Sequence, residues 1–158
     1  MAGSSLEAYN ESRPRSLLDG GCMPLAVWSE VFATGIESID TQHKNLFDAI
    51  NRLGDCFKEK KTEAGASEAL AFLSQYTQEH FLSEEEYMRV MNYPDITLHQ
   101  QEHTALLSKV QNLIVKADEG YLITADIAIF AADWLVHHIN ETDMGYVRFI
   151  KDKTAELR

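Results

Sequence analysis

Apolar side chains recur at helical spacing in four stretches of the chain, separated by short polar or turn-forming segments. The first stretch sets His43, Leu46, Phe47, Ile50, Leu53 and Phe57 on one face. That period, near 3.6, predicts a helix from Asp40, a good N-cap, to about Glu59. The charged segment Lys60–Gly65 reads as a loop. A second helix is expected from about Ser67 to Met91, with Leu70, Leu73, Thr77, His80, Glu84, Met88 and Met91 on one face. Tyr93-Pro94-Asp95 interrupts the pattern, and Asp95 is placed to cap a third helix carrying His99, His103, Leu106, Val110 and Leu113. This helix should fray through Lys116–Gly120, after which Thr124 caps a fourth with Ile127, Ala131, Trp134 and His138 in register. Four amphipathic segments joined by short connections predict an all-α, antiparallel up-down-up-down four-helix bundle.

Ahead of the first helix, residues 1–24 are polar and irregular and read as a flexible arm or linker. The run Val27–Phe32 has β-like residues without a hairpin partner, so it is expected as an extended segment laid on the bundle and anchored by Trp28 and Phe32. Gly35 stands where a turn is needed. The folded domain is expected over residues 25–151, with 152–158 as a C-terminal tail.

At 158 residues the chain suits one domain with a sizeable core. Acidic residues number 25 against 14 basic ones, a formal net charge of −11. That balance argues against nucleic acid or an anionic membrane as the partner, since both call for concentrated Lys and Arg. No run approaches the length of a membrane span and the N-terminus has no basic-then-apolar leader, so membrane insertion is not expected and a cytoplasmic location is the default. Cys22 and Cys56 form neither a disulfide framework nor a zinc knuckle, and Cys56 reads as a packing residue.

The candidate chemistry lies on the same apolar faces. Of six histidines, five sit in the series His43, His80-x-x-x-Glu84, His99-x-x-x-His103 and His138-x-x-x-x-Asp143, one cluster to each predicted helix. Residues four apart differ by about 40° around a helix, so His80 with Glu84, and His99 with His103, address one point. His138 and Asp143 would lie about 140° apart on an ideal helix, and share a site only if the helix loosens or ends between them. His137 is expected at the surface beside Asp133, and Glu85 and Glu86 as a solvated face. One inward histidine is commonly a hydrogen-bonded core residue. Five unpartnered imidazoles and two buried carboxylates would instead cost several kcal/mol each, against a domain stability of roughly 5–15 kcal/mol. A shared metal centre removes that cost, and the donors suit iron, zinc or copper. The His-Glu-x-x-His of zincins and the Glu-x-x-His of ferritin-like sites are both absent.

Together these residues resemble the hemerythrins, specifically the bacterial hemerythrin-like domains, over roughly residues 25–150. The resemblance rests on Trp28, Gly35-Ile36, Ile39-Asp40-x-Gln42-His43, Leu46-Phe47, His80-Phe81-x-x-Glu84-Glu85, Tyr93-Pro94, His99-x-x-x-His103 and Trp134-Leu135-x-x-His138-Ile139-x-x-x-Asp143. It implies two iron ions joined by an oxo or hydroxo group. By motif position His99, His103 and His138 would hold one iron, His43 and His80 the other, and Glu84 and Asp143 would bridge them. The uneven division leaves the second iron an open position, where the family binds dioxygen. Leu46, Phe81, Trp134, Leu135 and Ile139 match the family's apolar oxygen pocket and also read as bundle core, and Tyr93 and Tyr146 match positions from which a tyrosine either hydrogen-bonds the ligands or packs in the core. The resulting expectation is reversible dioxygen binding by a carrier or storage protein, not an enzyme. The alternatives are an oxygen- or redox-sensing domain coupled to a signalling partner domain, and a di-iron enzyme with oxidase, peroxidase-like or nitric-oxide activity.

Overall fold

The computed structural model describes residues 24–58, 63–119 and 125–155. Five α-helices account for most of them: α1 (Glu37–Lys58), α2 (Glu63–Met91), α3 (Ile96–Asp118), α4 (Ala125–His137) and α5 (Met144–Ala155). A π-helical segment, His138–Asp143, joins α4 to α5, so the two form the fourth long rod of an all-α, antiparallel four-helix bundle. No strand occurs among the described residues. None of their helices is long and apolar enough to cross a membrane.

Helix α1 begins three residues before the expected Asp40. Asp40 is not the N-cap: its carboxylate reaches backward and accepts bonds from the Thr34 amide (2.7 Å), the Thr34 hydroxyl (2.7 Å) and the Gly35 amide (3.1 Å). A carboxylate in the first turn also complements the positive end of the helix dipole. Gly35 takes φ +80°, a conformation that L side chains rarely adopt, to make the turn into the helix. Helix α2 likewise starts at Glu63, before the expected Ser67, so Gly65 lies within a helix rather than a loop. Its neighbour Ala66 is buried, and that packing offsets the roughly 1 kcal/mol penalty of a helical glycine. At the other end, Asn92 adopts φ 56°, with its own amide bonded to Arg89 O (3.1 Å) and the Tyr93 amide to Met88 O (2.9 Å). This closes α2 in a Schellman motif, and Tyr93 packs in the same apolar cluster as Met88. The Asp95 carbonyl accepts from the Leu98 (3.0 Å) and His99 (3.2 Å) amides at the start of α3. Thr124, the expected cap of the fourth helix, lies outside the described residues, as does the arm through residue 23.

The strap before α1 is extended only in part. Glu30–Phe32 forms a 3-10 turn that drives Phe32 fully into the core beside Trp28 and Phe47. Asn51 ties the strap to α1: its side-chain oxygen accepts from the Leu25 (2.8 Å) and Ala26 (3.2 Å) amides, and its amide donates to Ala26 O (2.7 Å). Gly54 completes the fit, since a Cβ there would stand 2.6 Å from Leu25 Cδ1.

Candidate metal centre

The antiparallel arrangement brings the start of α1, the end of α2, the start of α3 and the end of α4 to one end of the bundle. His43, His80 with Glu84, His99 with His103, and His138 with Asp143 occupy those four places. All seven are 0–2% exposed, deep in a chain whose other charged groups mostly face water. His138 and Asp143 converge because the π segment steps five residues per hydrogen bond, as in Met144 N–H to Ile139 O. The helix therefore loosens between them, as their spacing required.

The donors fall into two groups that share Glu84: Glu84 with His99, His103 and His138, and Glu84 with His43 and His80. Glu84 Oε2 lies 3.5 Å from His80 Nε2, 3.7 Å from His99 Nε2 and 3.5 Å from His103 Nε2, while Oε1 lies 3.7 Å from His43 Nε2. Asp143 spans the groups too. Its Oδ1 is 3.4 Å from His99 Nε2 and 3.1 Å from His138 Nε2, and its Oδ2 is 3.4 Å from His43 Nε2. His103 Nε2 and His138 Nε2 face each other at 3.1 Å. Metal–nitrogen bonds near 2.1 Å would set adjacent donors about 3.0 Å apart, close to the shorter of these spacings.

Hydrogen bonding does not account for the arrangement. His43 Nε2, His80 Nε2, His99 Nε2, Glu84 Oε2 and both Asp143 oxygens are buried without a hydrogen-bond partner. Such groups are costly in a protein interior unless a cation meets them. Burial and the neighbouring Asp143 push the Glu84 carboxyl up, yet the imidazoles of His80, His103 and His99 hold it well below the usual range. Burial opposes ionisation of Asp143 as well, and His138, His43 and His99 overcome it in the same way. Burial, assisted by the His43 charge, lowers His80 to about 4 despite the pull of Glu84 and Asp143. Two ionised carboxylates and a neutral His80 are forms that bind metal, whereas Asp143 and Glu84 raise His99 and His138 against burial, so those two would release protons to an incoming cation. The residues present therefore fit a pair of cations with nitrogen and oxygen ligands.

Residues 34–150 match the hemerythrin HHE cation binding domain. The chain belongs to the hemerythrin family. The bacteriohemerythrin of Methylococcus capsulatus (strain ATCC 33009 / NCIMB 11132 / Bath) is 35% identical over 127 residues, covering 78% of this chain and 95% of that protein. The bacteriohemerythrin of Pseudomonas aeruginosa (strain LESB58) is 31% identical over 131 residues, covering 83% and 85% respectively. A crystal structure of wild-type hemerythrin superposes with a TM-score of 0.75 at 32% identity, covering 78% of this chain and 96% of that one.

Around this hemerythrin centre, outer hydrogen bonds aim the rings. His80 Nδ1 donates to Gln42 Oε1 (3.0 Å) and His103 Nδ1 to Glu85 Oε1 (2.9 Å). Glu85 is thus not part of a solvated face. It sits half-buried beside His103, and only Glu86, exposed and paired with Arg89, is solvated. The sequence held a signal for both partners: Gln42 adjoins His43 and Glu85 adjoins Glu84, and both stand inside the motifs of the resemblance. Tyr146, fully buried, donates its hydroxyl to Glu84 Oε1 at 2.8 Å. Tyr93 makes no such bond. Its ring packs on Tyr146 and Phe149, and its hydroxyl lies where a Cβ on residue 145 would meet it at 2.9 Å, which glycine avoids. His137 is exposed, with no ion pair to Asp133.

Beside the centre lies a cavity of about 30 Å3 whose lining includes Leu46, Phe81, Trp134 and Leu135. Phe81 stacks on His103 (centroids 3.5 Å apart, 3° between planes) and Trp134 on His138 (4.3 Å, 15°), so the cavity wall also braces two of the rings. Ile139 is fully buried but does not line the cavity. Leu70, Leu73, Leu106, Val110 and Leu113 extend the lining away from the metal donors. They belong to the same apolar stripes, but nothing in the one-dimensional pattern distinguished wall from filled core.

Proposed function

We propose that this chain binds dioxygen reversibly at a di-iron centre. His99, His103 and His138 would hold one iron and His43 and His80 the other, with Glu84 and Asp143 shared between them. The observation that carries the reading is the unequal division of five imidazoles about two common carboxylates, next to an apolar cavity. The side with two imidazoles has a donor fewer, which leaves room for an exogenous ligand. A bound iron pair supplies electrons that dioxygen takes up on binding and returns on release.

The chain's own residues contribute position and dryness. Tyr146 fixes the Glu84 carboxylate, while Gln42 and Glu85 fix the planes of His80 and His103. The cavity of about 30 Å3 has room for two or three water-sized molecules, since each needs roughly 10–15 Å3. None of its lining residues titrates; Ser74 and Thr77 supply its hydroxyls, and Thr77 spends its proton on Leu73 O (2.7 Å). A pocket without an acid disfavours O–O cleavage, which supports binding over turnover.

The test is anaerobic iron reconstitution followed by admission of dioxygen. Metal analysis should give two irons per chain, and a visible absorption band should arise with dioxygen and fade under vacuum. One iron or none overturns the di-iron reading. Immediate, irreversible oxidation without the band overturns reversible binding.

A further inference from the structure

The outer hydrogen bonds of the centre differ in charge between its two halves. On the three-histidine side, His103 donates to the carboxylate of Glu85 (2.9 Å), and Glu102 Oε2 stands 3.4 Å from His138 Nδ1. On the two-histidine side, His80 donates to a neutral amide, Gln42 (3.0 Å), while His43 Nδ1, like His99 Nδ1 and His138 Nδ1 on the other side, has no hydrogen-bond partner. No carboxylate accepts from an imidazole Nδ1 there.

These roles are locked by further bonds. Ser83 gives its proton to Glu79 O (2.9 Å), so it can only accept from Gln42 Nε2 (3.1 Å). The Gln42 amide must therefore turn its oxygen to His80, making Nδ1 the donor and leaving the Nε2 lone pair inward. Glu85 is held in the same way by Gln100, which donates to its other oxygen at 2.8 Å. Glu102, which accepts from Thr142 of the π segment at 2.7 Å, is half exposed and makes no hydrogen bond to His138.

We propose that Glu85 and Gln42 are positioning residues that make the two irons unequal in redox potential. A hydrogen bond to a carboxylate is roughly twice as strong as one between neutral groups. It makes His103 the stronger donor and stabilises the ferric ion among His99, His103 and His138. The neutral Gln42 gives His80 no such reinforcement. Iron held by His43 and His80 would therefore have the higher potential of the two and would be the first to accept an electron from an electrode. This inference rests on the di-iron reading.

The test uses the full iron-loaded chain, reduced stepwise at an electrode while its spectrum is followed. The wild type should show two resolved one-electron couples. Glu85→Gln keeps shape and removes charge, so it should raise the lower couple by about tenfold in equilibrium constant, about 59 mV for one electron, and leave the upper couple in place. Gln42→Glu should lower the upper couple by a similar factor, and Glu85→Asp should stay nearer wild type than Glu85→Gln. Should Glu85→Gln fail to retain iron, the fall of the upper couple in Gln42→Glu decides the matter. A single merged couple in the wild type, or couples that stay fixed or move together in variants holding two irons, overturns the inference alone. A wild type that binds no iron overturns the di-iron reading with it.

Discussion

His80 and His99 sit in one polar centre and are driven in opposite directions. Burial lowers His80 from 6.5 to about 4, whereas contacts with Asp143 and Glu84 overcome burial and raise His99 from 6.5 to about 9. The consequences for the chelated, metal-free chain differ in sign. The contribution of His80 is complete above its unfolded value of 6.5 and is lost as pH falls toward 4. That of His99 is complete below 6.5 and is lost as pH rises through 9. Thermal stability of the metal-free chain should therefore peak near pH 6.5 and decline on both sides, and His99→Gln should flatten the alkaline limb. Melting curves from pH 4 to 10 test this; an alkaline limb unchanged by the substitution would refute the role given to His99. Tyr146→Phe removes the bond to a buried, ionised Glu84. It should cost about 1.5–3 kcal/mol in urea unfolding of the metal-free chain.

The π segment is the part of the backbone on which the centre most depends. Its exposed member Glu141 lies between His138 and Asp143. Deleting Glu141 would place the two ligand residues four apart on an ordinary helix, the spacing already used by His80 with Glu84. Two metal ions per chain should be retained. Inserting an alanine beside Glu141 would set them six apart, beyond what a π turn absorbs, and metal analysis should fall to one or none. Much of this was legible in advance, because a five-residue spacing between inward donors requires a widened helix. The helix starts were less so. Asp40 has the chemistry of an N-cap, but its carboxylate serves Thr34 and Gly35 from inside the helix. Gly65 looks like a loop residue but is carried in α2, adjoining the buried Ala66.

Over the whole molecule, burying seven ionisable groups at one end of the bundle would make any cations they bind part of its stability. Chelation should destabilise the chain by about 4 kcal/mol relative to metal present at 1,000 times its Kd. For a protein of this size that is a fall on the order of 10 °C in Tm, measurable by calorimetry. The centre also depends on the apolar core next to it. Leu46 is 1% exposed and lines the cavity, so Leu46→Ala should admit water and speed autoxidation of the iron-loaded chain. An autoxidation half-life equal to that of wild type would remove dryness from the account of the site.

The order of residues along the chain is sufficient for the four helical faces, the inward direction of the five histidines and the exclusion of His137. These follow from the angle between successive residues on a helix, which is a local property. Three features needed the packed bundle. Which carboxylate oxygen meets which imidazole depends on the relative height of four rods, so the sharing of Glu84 and Asp143, implied in the sequence only by resemblance, takes its geometry from the packed bundle. The pairing of Glu85 with His103 spans α2 and α3, and helical period alone would leave Glu85 in water. The cavity is space left between stripes, and a stripe of Leu and Val reads the same whether its neighbours fill that space or not.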